Sequence, residues 1–394
     1  MQVTTKNLLL MKKHILLCIL VFLVTLSCQQ ASITKGSNYQ QPETFVRDLS
    51  KSDDLDKAID SLMKKHKVPG VSIALMQKGK TLSSRNYGII QKGKTDKIDY
   101  QTMFSVGSVS KVANAIIVLK LVDEGKLDLD EDVSKYLKSW KIPTNNFTKN
   151  NPITLRHILS HTAGFSVHGF ADYYPREKIP TSIQTLNGEK PAKNKRIEVI
   201  FAPGSKFKYS GGGVTVAQQI VVDVTGISYE KVAAQILFKP LGLKRTSFAN
   251  PIPSDFGNIA KAHNGNGKTV ALPRGYQAMP EMAASGLWTT PSDLLKIFSI
   301  LLETNEDKST RYLSANILKE MITKQKNTKY GLGPRVERNK DYTFIAHGGS
   351  NESYKAAFQI SWTEKTGYAV FTNSANGSEL IRELRPVIRK HLDF

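Results

Sequence analysis

The sequence predicts an α/β fold of the α+β kind: a mostly antiparallel sheet flanked by helices, with an inserted all-helical subdomain. Three observations carry this. Strand-like apolar runs lie near both ends of the chain, so that one sheet can be assembled from its two halves. The stretch between them reads as helices joined by Gly- and Pro-containing loops. The 394 residues exceed what one simple core usually supports, which suits one catalytic unit built from two interleaved parts.

At the N-terminus, Lys12 and Lys13 precede an apolar run from Ile15 to Leu26 that ends in Ser27-Cys28-Gln29-Gln30. This is the layout of a secretory signal peptide over residues 1–28, with Met11 a more usual start for it than Met1. The two cysteines, Cys18 and Cys28, both fall in this region, so a processed body would hold no internal disulfide. Cys28 stands where a bacterial lipoprotein is acylated, although Thr25-Leu26-Ser27 departs from the usual leucine three positions before the cysteine. Lipidation, with residues 29–48 as a polar leash to a membrane, and ordinary cleavage are both open readings. Either way the expected location is outside the cytoplasm, in the periplasm or cell envelope, with the folded body over 49–394.

Within that body, Leu55, Ala58, Ile59, Leu62 and Met63 recur at helical spacing from Asp54 to His66, and Val68-Pro69-Gly70 stops the helix. Val71–Gln77 and Thr81–Gly88, joined at Lys78-Gly79-Lys80, read as a hairpin. Residues 124–335 form the expected helical subdomain, with helices over Leu155–Leu159, Val214–Val224 and Pro291–Leu302. Tyr173–Lys195 is polar enough to be an exposed loop beside a site. Strands are expected over Tyr342–His347, Tyr354–Trp362 and Tyr368–Thr372, then a helix from Glu379 that Pro386 kinks or divides. A cleft should lie where sheet and helical subdomain meet.

The formal net charge is +21, and it stays strongly positive after Lys6, Lys12 and Lys13 leave with the leader. No nucleic-acid-binding motif accompanies it, so an acidic envelope is the expected neighbour and nucleic acid is not; diffuse solvated charge is the plainer reading. No stretch after the leader reaches the roughly 18 apolar residues a spanning helix needs.

Ser-x-x-Lys begins at Ser32, Ser61, Ser108, Ser205 and Ser228, so spacing alone chooses nothing. Context does. Ser108 opens Val109–Val122, a segment apolar nearly all round and long enough for a buried helix, and Lys111 interrupts it. At i and i+3 the two share a helix face. A lysine in that setting must be paired, neutral or facing a cleft, because an uncompensated buried ammonium costs several kcal/mol. Partial desolvation would lower its pKa, and the helix N-terminus favours negative charge at Ser108. His157 and His161 sit at i and i+4, but Ile158 replaces the Glu of a zinc-protease helix, so a structural helix is expected and no metal or other cofactor is called for.

Phe104-Ser105-Val106-Gly107-Ser108-Val109-Ser110-Lys111, then Tyr209-Ser210-Gly211, then His347-Gly348-Gly349 resemble the three active-site motifs of the class C β-lactamase, DD-peptidase and esterase family, the penicillin-binding-protein-like serine hydrolases. Leu155–Gly164, Pro240-Leu241-Gly242-Leu243 and Ala284-Ser285-Gly286-Leu287 with Asp293 support it, and the resemblance covers about residues 50–390. It implies a β-lactamase/transpeptidase-like fold and an acyl-enzyme on Ser108. Lys111 and Tyr209 would share the proton network, and the N–H groups of Ser108 and Ser350 would form the oxyanion hole beside Gly348 and Gly349. Tyr209 near a cationic lysine could approach phenolate; which of Lys111 and Tyr209 takes the first proton stays open.

Two departures shape the substrate expectation. Gly211 stands where many relatives carry an Asn that contacts the acyl-amide, and His347 replaces a permanent lysine cation. A small-molecule ester or a D-amino-acid peptide is therefore expected ahead of a β-lactam. The alternatives are a β-lactamase or DD-carboxypeptidase of cell-wall metabolism, or a non-catalytic sensor that kept the fold.

Overall fold

The computed structural model describes residues 54–270, 278–303 and 312–394; the expected leader with Cys18 and Cys28, and the 29–48 leash, lie outside the described residues. Helix α1 (Asp54–His66) has Asp54 and Asp56 in its first turn and Lys64, Lys65 and His66 in its last, which complements the helix dipole. Strands β1 (Gly70–Gln77) and β2 (Lys80–Gly88) follow as an antiparallel hairpin. A two-residue strand β3 (Phe104–Ser105) then leads into α2 (Ser110–Asp123).

The middle of the chain supplies α3 (Leu155–Leu159), α4 (Ser182–Asn187), α5 (Gly211–Thr225), α6 (Tyr229–Ala233) and α7 (Met282–Ser285). Next come β4 (Trp288–Thr289), α8 (Pro291–Glu303) and α9 (Ala315–Ile322). Strands β5 (Arg335–Arg338), β6 (Thr343–Asn351), β7 (Tyr354–Ser361) and β8 (Thr366–Thr372) and helix α10 (Gly377–Leu392) complete the chain.

The main sheet has the order β2-β1-β8-β7-β6-β5, with every neighbouring pair antiparallel. The first hairpin therefore closes onto the last strand, as the apolar runs at both ends predict. Alternation assigns the two faces. Val71, Ile73, Leu75, Tyr368 and Val370 pack with Leu55 and Ile59 of α1 and Leu380, Leu384 and Ile388 of α10. Ala74, Met76, Ala369 and Phe371 point the other way, into the large core shared with α2, α5 and α8. Both faces of β1 are covered, which explains its almost unbroken apolar run.

Three expectations are corrected. The inserted stretch is not all-helical: Trp288–Thr289 pairs with Phe104–Ser105, and the Phe298 ring of α8 lies 4.8 Å from Phe358 on the sheet. Tyr173–Lys195 is not simply an exposed loop. It contains α4, held by a capping box between Thr181 and Gln184, and it buries Tyr173 and Leu186. Finally, α10 runs unbroken through Pro386. Its buried row Leu380, Leu384, Ile388 and Leu392 outweighs the one backbone hydrogen bond that proline removes.

Candidate active site

Among the described Ser-x-x-Lys pairs, Ser61, Lys64, Ser205, Lys208, Ser228 and Lys231 are all exposed, whereas Lys111 is buried. Ser108 occupies a single 3₁₀ turn, Gly107–Val109, that feeds α2, and it is partly exposed. Several contacts fix this turn. The Ser110 hydroxyl donates to Gly107 O at 2.6 Å and accepts from Leu287 N at 2.9 Å. Asn351 of β6 donates to the Ser105 hydroxyl at 2.6 Å, tying the strand before Ser108 to the third motif.

Lys111 Nζ lies 3.0 Å from Ser108 Oγ and donates to Ala284 O at 2.6 Å. Burial pushes its amine down to about 7, with the Glu281 carboxylate acting in the opposite sense. Glu281, just before α7, escaped the sequence reading. It is fully buried, and neither carboxylate oxygen has a hydrogen-bond partner among the described residues. Burial raises its carboxyl to about 8. A lone acid inside the otherwise uncharged run Ala278–Ala284 is the signal the sequence offers.

Tyr209 faces the same turn, with its ring centroid 5.0 Å from Lys111 Nζ. Burial raises its hydroxyl well above the usual phenol range, against the lowering effect of its hydrogen bond with Ser108. That direction reverses the expectation that the neighbouring lysine would draw it toward phenolate: a desolvated amine near neutrality offers little positive charge to do so. The rings of His161 and His168 stand 4.3 and 5.0 Å from Tyr209, and those of Tyr330 and His347 both at 6.1 Å. His161 is thus part of the Tyr209 wall, its Nδ1 accepting from Ser210 N at 3.3 Å, while His157 caps α3 through Thr154.

Ser210 is the N-cap of α5, accepting from Gly213 N at 2.9 Å. At Gly211 a Cβ would meet His168 O at 3.0 Å and the Phe170 ring at 3.1 Å. The place of the missing Asn side chain is therefore filled by this loop.

The third motif lies on β6. His347 is buried, its Nδ1 2.7 Å from Gly348 O, and burial beside Lys111 pushes its imidazole down to about 3, so it is neutral. Strand β5 pairs with β6 only from Thr343 to Ala346, which leaves His347–Asn351 beyond that pairing on the outer side. The glycines serve different ends. A Cβ at Gly349 would sit 1.8 Å from Val106 O and 3.3 Å from Ser108 N, whereas at Gly348 it would meet only Ala356 O at 3.9 Å. Gly349 thus lets the Ser108 turn seat against the strand. Gly349→Ala is expected to lose roughly 1–3 kcal/mol in urea unfolding, with Gly348→Ala near neutral; equal midpoints would remove the distinction. Across the hairpin, Lys355 Nζ donates to the Ser350 hydroxyl at 2.8 Å. The structure thus brings Ser108, Lys111, Tyr209, His347, Gly348, Gly349 and Ser350 to one wall; Cys28 lies outside the described residues.

The β-lactamase family model matches residues 55–393. Protein flp of Staphylococcus aureus strain N315 is 26% identical over 348 residues, spanning 86% of this chain. The chain covers 65% of that relative's length. Among solved structures, the octameric penicillin-binding protein homologue from Pyrococcus abyssi superposes with a TM-score of 0.68 at 24% identity, over 82% of this chain and 73% of that one. The D-amino acid amidase from Ochrobactrum anthropi SV3 gives 0.66 at 20%, over 86% and 99%. At such identities the superpositions establish the shared fold.

Proposed function

The chain belongs to the β-lactamase family, and we propose that it is a serine hydrolase that cleaves carboxylic esters or D-amino-acid-containing peptides through an acyl-enzyme on Ser108. One observation supports this above the others: a buried amine pinned between Ser108 Oγ at 3.0 Å and Ala284 O at 2.6 Å. A neutral amine has one lone pair and two N–H donors. Ala284 O takes one N–H, and the lone pair can accept the Ser108 proton. Lys111 is then the base, and Ser108 Oγ bonds to the acyl carbon.

The carbonyl oxygen gains the negative charge and is held by the N–H groups of Ser108 and Ser350, each such donor typically contributing about 3 kcal/mol. Collapse breaks the bond to the leaving group. Tyr209, still a phenol, gives that group its proton and is recharged from the Lys111 ammonium. Water repeats the cycle and frees the acid.

Phe170 in place of an amide side chain and the neutral His347 favour an ester over a β-lactam. A DD-carboxypeptidase is the second reading, and Lys355 favours it. Its ammonium, 2.8 Å from the Ser350 hydroxyl, puts a cation beside a motif that lacks its usual lysine.

The test is intact-protein mass spectrometry after a short-chain p-nitrophenyl ester, a D-alanyl-D-alanine peptide and a penicillin, with product release followed alongside. Ester turnover with an adduct on Ser108 is expected. Faster peptide turnover would favour the second reading, and neither turnover nor adduct with any substrate would refute hydrolysis.

A further inference from the structure

The outer face of the sheet carries a cavity that borders the ring wall around Tyr209 through Tyr330 and His347. Alternation locates it. Ala357 and Tyr368 belong to the core beneath α1 and α10, and Gln359 pairs with Tyr368 and Ala346, while Phe358 packs with α8 on the opposite face. A cavity of 240 Å³ lies against these outer-face residues, with Lys329, Arg335, Arg385, Gln359 and Tyr368 in its wall, and it meets the candidate active site at Tyr330, His347 and Gly348. An adjoining cavity of 260 Å³ shares Gln359 and adds Arg338 and Arg389. Glu337, in the adjoining cavity, is ion-paired with Arg335 at 2.7 Å.

Helix α10 separates its charges. Glu379 and Glu383 are engaged by Arg382 and by Lys65 of α1, whereas Arg385 and Lys329 have no carboxylate at ion-pair distance among the described residues. Arg389 is backed by the rings of Phe344 and Phe394, at 5.7 and 5.6 Å. Tyr368 donates to Gln359 Oε1 at 3.3 Å, which occupies one lone pair of that oxygen and orients the amide, leaving its N–H₂ as a donor. The wall is therefore rich in donors and cations. Gly348, Ala346 and Ala357 keep its floor open.

We propose that this groove binds a phosphate ester, with the phosphate between Arg385, Lys329 and Gln359 and its organic substituent in the adjoining cavity. Arginine forks match phosphate oxygens, several converging cations suit a phosphate better than a single carboxylate, and the volume exceeds that of a phosphate alone. The groove also gives part of the chain's net charge of +21 a location and a use.

The test titrates the purified full chain with glycerol 3-phosphate by calorimetry and sediments it with phosphatidylglycerol or phosphatidylcholine vesicles. The variants are the double substitution Lys329→Gln with Arg385→Gln, and Lys141→Gln, which removes an exposed charge elsewhere. Saturable binding of glycerol 3-phosphate, or retention on phosphatidylglycerol alone, is expected, weakened at least tenfold in the double variant and little changed in Lys141→Gln. Binding of the soluble ester identifies a free phosphate ester; retention on vesicles alone identifies a lipid headgroup. Circular dichroism and ester turnover should be unaltered in the double variant, since neither residue belongs to the Ser108 machinery. No saturable binding to either probe, or equal losses in both variants, overturns the proposal.

Discussion

Ser108→Ala is expected to abolish covalent labelling by a fluorophosphonate and to lower kcat by about 10⁴–10⁶-fold, the range seen when a nucleophile acting as part of a unit is removed. The protein should otherwise be intact. The Ser108 side chain is partly exposed, and the turn is held by Ser110, Asn351 and Gly349 rather than by the Ser108 hydroxyl. Undiminished labelling of the variant would move the nucleophile elsewhere and end the assignment.

Lys111→Ala should cost roughly 10²–10⁴-fold in turnover, the usual contribution of a positioned base, and its pH profile carries the sharper information. With the amine pushed down to about 7, the active neutral form grows as pH rises. Turnover in the parent protein should therefore climb through about pH 7 and level off above it. Glu281 opposes that lowering. Glu281, itself raised to about 8, ionises only toward the top of that limb, where its charge favours the ammonium, so Glu281→Gln should move the upper part of the limb to lower pH. A merely structural role for Glu281 would alter unfolding without moving the limb, and an unmoved limb would remove Glu281 from the proton network. A profile flat across this range in the parent would exclude Lys111 as the titrating base.

Much of this was legible because periodicity reports burial. Helix α1 and the first hairpin stand within a residue of their expected bounds, since Leu55 and Ile59 repeat at helical spacing and β1 is apolar on both faces. Lys111 was legible as an interruption of an apolar helix. Pro386 misled because a local rule met a strongly amphipathic helix. Glu281 and the ring wall of His161, His168 and Tyr330 lay beyond reach for another reason. They converge on Ser108 and Tyr209 only through tertiary packing, as does the Asn351–Ser105 bond, which spans 246 positions. The direction at Tyr209 failed for the same cause: a sequence shows a neighbouring lysine but not how deeply the phenol is buried.

The strand order also governs how the protein comes into being. Strand β1 sits between β2 and β8, its Val71 opposite Thr372 and its Met76 opposite Gly367. During synthesis the first hairpin emerges with half of its pairing missing, and the completing strand follows only after residues 89–365 have been made. Contacts of such high contact order form slowly. Until β8 is in place, β1 is an exposed, strongly apolar edge, and a chain truncated before β8 would keep it so and tend to aggregate rather than fold into a smaller working unit.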